Sequence, residues 1–193
     1  MHRATRLLAV ALLCATAAAC QSITKVDAGK PVKVGDSFRV HPQIAWNRIE
    51  VGGDEMWTVH GPLLHYMRFI KAIDDGDPLF KVKDSGSKDV KAPVYRKGMS
   101  PLEVAELFET TQTMGGAQKV KVSGVRPQVL GGRDGFRFDY AYATKGGLLK
   151  DGFAVGFEKD GKLRMILFEG AHLHYFPAYR ERAEKMIETI EVL

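Results

Sequence analysis

Cysteine is nearly missing from this chain of 193 residues: there are two, Cys14 and Cys20. That excludes a disulfide framework and a cysteine-built metal cluster. No apolar run is long enough to cross a bilayer. The apolar, charge-free run Leu7–Ala19 has thirteen residues, against the ~20 a spanning helix needs. No Gly-x-Ser-x-Gly elbow, His-Glu-x-x-His, P-loop or Gly-x-Gly-x-x-Gly occurs. Serines are few and lack a recognisable base partner. Charge is only mildly one-sided, at +5. A nucleic-acid binder normally shows a strong basic stripe, so nucleic acid is not an expected partner.

The N-terminus is informative. Arg3 and Arg6 precede the apolar run, and small residues follow, ending Ala17-Ala18-Ala19-Cys20. These are the proportions of a secretory signal. The last four residues resemble the lipobox of bacterial lipoproteins, in which the cysteine thiol is acylated before cleavage. Ala17 stands where Leu is usual, and Ala17-Ala18-Ala19 also fits an ordinary signal-peptidase site. Cys14 follows bulky Leu13 and is not an acceptor. Cys20 is therefore the expected lipidation site, with residues 1–19 as signal peptide. Losing Arg3 and Arg6 lowers the formal charge to +3. Gln21, rather than Asp, after the cysteine implies by resemblance to enteric sorting the outer membrane, facing the periplasm.

Residues 21–36 are polar, with Gly29, Pro31 and Gly35, and read as a flexible tether behind Cys20. Residues 37–193 read as one domain. Trp46–Val51 and Glu55–Val59 flank Gly52-Gly53 as two strands. Their two tryptophans invite ligand stacking, but large rings on hairpins usually pack a core. Leu63–Ile70 is a central strand or a short helix. Residues 74–98 read as a mobile loop with a brief strand near Leu79–Val82. It carries Lys81, Lys83, Lys88, Lys91, Arg96 and Lys97, a solvated face or a contact with anionic headgroups.

Ser100-Pro101-Leu102-Glu103 is a capping box opening a helix. Its stripe is Leu102, Ala105 and Phe108, with Val104, Leu107 and Thr111 beside it, and Gly115-Gly116 ends it. Glu103, Glu106 and Glu109 read as solvated partners of the helix dipole, not as a carboxylate site. From Lys119 the period becomes two. Phe136, Phe138, Tyr140 and Tyr142 form an aromatic face, and Phe153, Val155 and Phe157 the next inward set. Asp160-Gly161 suits a two-residue hairpin before Leu163–Glu169. A last helix opening at Pro177 carries Tyr179, Ala183, Met186, Ile187 and Ile190 on one stripe. It is expected to cover the aromatic sheet face. His172 and His174, two apart, could chelate a metal on a strand if His60, His65 or a carboxylate supplied a third ligand. On a bend they are partly exposed aromatics.

Strands, capped helix, meander and terminal helix resemble the PsbP-like fold. The run Gly131-Gly132-Arg133-Asp134-Gly135-Phe136-Arg137-Phe138-Asp139-Tyr140 is similar to a strand of small proteobacterial lipoproteins. The expected fold is α+β, an antiparallel sheet of six or seven strands packed with a central and a C-terminal helix. The resemblance implies a non-enzymatic binding or assembly module without cofactor; the anchor at Cys20 places it at the membrane, presenting a surface to an envelope protein or lipid. A carrier of a small apolar ligand is the alternative, and an enzyme the least favoured reading.

Overall fold

The computed structural model describes residues 23–80 and 92–193. The central helix α1 (Pro101–Met114) begins as its sequence dictates. Ser100 Oγ accepts from the Glu103 N–H, and the Glu103 carboxylate accepts from the Ser100 N–H. The backbone of the next stretch alternates, and four strands follow: β7 (Gln118–Leu130), β8 (Arg133–Ala143), β9 (Leu149–Lys159) and β10 (Lys162–Ala171). Asp160 and Gly161 both take positive φ, 56° and 73°, the left-handed pair that a tight hairpin between twisted strands requires. Helix α2 (Tyr175–Glu188) follows β10 directly.

The N-terminal half supplies β4 (Trp46–Val51), β5 (Asp54–Thr58) and β6 (His65–Ile73). The third candidate is thus a strand, and a central one, between β5 and β10. The main sheet has eight strands, ordered β1-β4-β5-β6-β10-β9-β8-β7, every pair antiparallel. A small second sheet joins β2 (Val32–Val34), β3 (Phe38–Val40) and β11 (Glu191–Val192).

Four expectations are corrected. The described part of the proposed tether, residues 23–36, is folded. It contributes β1 (Thr24–Val26), paired with β4, and β2, with Val26 and Val34 buried. Leu79 and Phe80 are not in a strand; Leu79 is buried and the chain there turns. Leu102 is exposed, and the α1 stripe runs through Val104, Ala105, Leu107, Phe108 and Thr111 instead. Finally, the aromatic face of β8 is covered by α1, not by the last helix. The Phe108 ring lies 5.2 Å from Phe138 and 4.6 Å from Tyr140. Helix α2 packs on the opposite face. There Ala183, Met186, Ile187 and Ile190 join Phe153, Val155, Phe157 and Phe168, with the small sheet closing the same core.

Large rings on β8 are matched by small residues on β9. Phe136 pairs with Gly156, Phe138 with Ala154 and Tyr140 with Gly152. The aromatic rings lie over the β9 backbone, the kind of size complementarity a close-packed interior needs.

Candidate functional site

Cys20, Lys81, Lys83, Lys88 and Lys91 lie outside the described residues. Arg96 and Lys97 are exposed, beside a group of aspartates. The Lys97 N–H donates to Asp75, and Lys162 pairs with Asp74. The described part of the loop therefore mixes both signs. Trp46 and Trp57 are buried core residues. His172 and His174 follow β10 in a turn, not on a strand. His172 Nδ1 pairs with Asp151, and His174 packs edge-on to Tyr175. His60 and His65 instead pack edge-on to Tyr175 and Tyr179. Among the described residues no three His, Cys, Asp or Glu side chains come together as a metal site.

The structure does assemble a polar cluster that sequence reasoning missed. On β10, Leu163, Met165 and Leu167 point to the α1 face, and the next residue in that alternation is Glu169. Its carboxylate is 1% exposed. Tyr142 donates to Oε1 at 2.8 Å, Tyr140 to Oε2 at 3.3 Å, and Lys150 Nζ lies 3.4 Å from Oε1. Tyr66 sits directly opposite Glu169 on β6. Register explains the gathering: Tyr66, Glu169, Gly152 and Tyr140 form one row across four strands. Burial, and then the Glu169 charge, push all three tyrosine hydroxyls above their ordinary value. All three keep their protons at neutral pH, and Tyr140 and Tyr142 donate theirs to Glu169. The one available signal was a lone Glu on an otherwise apolar strand face.

A second buried arrangement lies on the α2 face. Arg137 of β8 forks onto Glu184 of α2, at 2.6 and 2.7 Å, with its guanidinium 4.0 Å above the Phe153 ring. This ties helix to sheet through a bidentate, stacked contact.

At the lower end of that face His65 is fully buried among Trp46, Tyr175 and Tyr179. The Thr58 hydroxyl donates to the His65 carbonyl at 2.7 Å, so its oxygen accepts from His65 Nδ1 at 3.3 Å. That places the proton on Nδ1 and leaves Nε2 without a partner. Burial, then His60 and Lys150, lower this histidine to about 4. Above pH 6.5 its ring is neutral in both the folded and the unfolded chain. Between 6.5 and about 4 only the unfolded chain takes up the proton, so stability falls with pH through that window and levels below it. The expected loss from this group is about 3 kcal/mol. Urea unfolding of wild type and His65→Gln between pH 7.5 and 4.5 measures it. The variant's profile should be flatter by that amount.

The surface clefts are modest. One of about 300 Å³ lies beside the Arg68–Asp54 ion pair and Phe80. An apolar one of about 240 Å³ lies among Tyr95, Met99, Val104, Phe136 and Leu163. This second cleft opens between the start of α1 and the sheet; deeper between the sheet and each helix the space is filled, and Phe108, Phe138, Phe153 and Phe168 have no exposed surface.

An eight-stranded antiparallel sheet with a helix on each face is an α+β architecture consistent with a PsbP-like fold. The chain is similar to the cyanobacterial PsbP of Synechocystis sp. PCC 6803, known from a solution structure. The two share 10% identity over 92% of this chain and 96% of that one, at a TM-score of 0.55. It also aligns with LpqN, a protein involved in cell envelope biogenesis of Mycobacterium tuberculosis. That match has 13% identity over 88% and 91% of the two chains, at a TM-score of 0.36. No protein-family model and no curated protein sequence matches the chain.

Proposed function

We propose that this protein is a lipid-anchored module of the bacterial cell envelope that binds or helps assemble an envelope protein and catalyses no reaction. Cys20 is its lipidation site, and the outer membrane, periplasmic side, its place. The observation that carries this reading is the filled interior. Both faces of the sheet are closed by tightly packed aromatic cores. The surface clefts, about 240 to 380 Å³, lie below or at the low end of the ~300–1,000 Å³ usual for small-ligand sites, and the cores beneath them are packed, which argues against a carrier. The buried titratable groups with large shifts also move away from neutrality, the tyrosines upward and His65 downward. A general acid or base needs the opposite tuning. The reading invokes no cofactor and no nucleic acid.

Labelling cells with radioactive palmitate tests the anchor. Wild type is expected to incorporate label and to fractionate with outer membranes. Cys20→Ser should lose the label and be recovered as soluble protein. An unlabelled wild type overturns the anchored reading.

A further inference from the structure

Three turns meet at one end of the main sheet. The first, His60-Gly61-Pro62-Leu63-Leu64, precedes β6. The second, Thr144–Leu148, joins β8 to β9. The third, His172-Leu173-His174, joins β10 to α2. They are laced together: the Ala171 N–H donates to the Leu64 carbonyl, and the His172 N–H to that of Leu149. The middle turn is held closed by the Thr144 N–H on the Leu148 carbonyl at 2.9 Å and by the Leu148 N–H on Thr144 Oγ1 at 3.1 Å.

This end displays leucine. Leu63 is 83% exposed, Leu173 90%, Leu149 55% and Leu148 43%. Other large apolar side chains exposed to this degree, Ile23, Leu102 and Val129, are scattered singly. Scattered apolar residues need no explanation, but a cluster on one surface marks an interaction site. The three turns contain no Asp or Glu. They carry Lys145 and three histidines, while nearby Asp151 is already paired with His172.

The N-terminus enters from the other end. β1 runs antiparallel to β4, and β4 ends at the Gly52-Gly53 hairpin, opposite the leucine turns. The chain therefore comes into Thr24 from the hairpin side. Three residues, Gln21, Ser22 and Ile23, separate Cys20 from Thr24, a span of at most about 14 Å. In the anchored reading, acyl chains on Cys20 would tether the domain from the hairpin side of the β1 edge, the end opposite the leucines.

From this we infer that the leucine turns form a docking face for another envelope protein, one presenting an apolar patch rimmed by acidic side chains. The inference rests on the anchored-module reading for its orientation. Lys145 on the rim supplies positive charge, and the leucines the buried centre, the anatomy of a protein interface. Because the turns are hydrogen-bonded closed, the face is preformed.

The test places a photoreactive benzoylphenylalanine at Leu63, Leu173 or, as a control at the hairpin end, Asp134, in the full chain in its native cell. The two leucine positions are expected to give the same discrete protein adduct, at least tenfold above Asp134. Mass spectrometry then identifies the partner and the surface crosslinked. Purified, that partner should bind the purified chain, and a Leu63→Ser/Leu173→Ser variant with unchanged circular dichroism should bind at least tenfold more weakly. Lys145→Glu should weaken binding as well. Adducts to lipid alone, an adduct to a second copy of this chain, equal yields from Asp134, or no adduct each overturn the docking face. Palmitate labelling separates the two readings. Unlabelled protein that still crosslinks at the leucine turns removes the anchor and upholds the face. Labelled protein without the adduct removes only the face.

Discussion

Glu169→Ala is expected to destabilise the fold by about 3–5 kcal/mol, read as a lowered urea midpoint at pH 7. The loss comes less from the missing interaction than from what remains. Lys150 is 3% exposed, and Glu169 is its ion-pair partner. Without that carboxylate a buried ammonium stands uncompensated, and the hydroxyls of Tyr140 and Tyr142 lose their acceptor. Glu169→Gln keeps an acceptor but removes the counter-charge, so it should fall between wild type and alanine. The decisive variant is the pair Glu169→Leu with Lys150→Met. Replacing a buried ion pair by apolar residues of similar volume is often neutral or stabilising, so the double change should recover most of the loss. If the double variant is as unstable as Glu169→Ala, the ion pair is not the cause.

Gly152→Ala is the second large effect. A Cβ on Gly152 would stand 2.3–2.6 Å from three atoms of the Tyr140 side chain, two ring carbons and the hydroxyl oxygen. That ring cannot step aside easily, because Phe108 of α1 backs it at 4.6 Å and its hydroxyl is engaged by Glu169. Overpacking a filled core costs about 1–3 kcal/mol, and this site belongs at the upper end. Gly146→Ala is the control: its Cβ would approach only the Thr144 hydroxyl, at 3.9 Å. It should leave the thermal midpoint within a degree or two, while Gly152→Ala lowers it by about 10 °C or more. Combining Gly152→Ala with Tyr140→Leu should cost less than the sum of the single changes, since the second relieves the clash of the first.

Much of the layout was legible because it depends on neighbours in the chain. The Ser100–Glu103 capping box, the Asp160-Gly161 turn and the alternation of Phe136, Phe138, Tyr140 and Tyr142 are local devices. Each is set by backbone geometry over a few residues. The same locality explains the failures. Thr24–Val26 and Val32–Val34 are too short to show a period, and their order comes from pairing with β4 and β3. A three-residue strand is invisible until its partner is in place. Likewise, alternation announces that β8 has an aromatic face but not which helix lies on it. That choice is made by packing, which lays α1 along β7 and β8.

The candidate sites divide in the same way. The signal proposed at Cys20 is a linear pattern of small residues along the chain, so sequence alone can propose it. Glu169, Lys150, Tyr66, Tyr140 and Tyr142 come from four strands and become one cluster only through cross-strand register. Leu63, Leu148, Leu149 and Leu173 look in sequence like ordinary turn-flanking leucines. Only the antiparallel sheet, by returning β6, β9 and β10 to one end, sets them side by side. By itself, then, the sequence determined the local devices, the alternating faces and the α+β class, because these depend on spacing along the chain. The tertiary structure decided which face each helix covers, where the buried charges meet and which end bears the leucines. Those depend on strand order and register, set by packing between residues far apart in sequence.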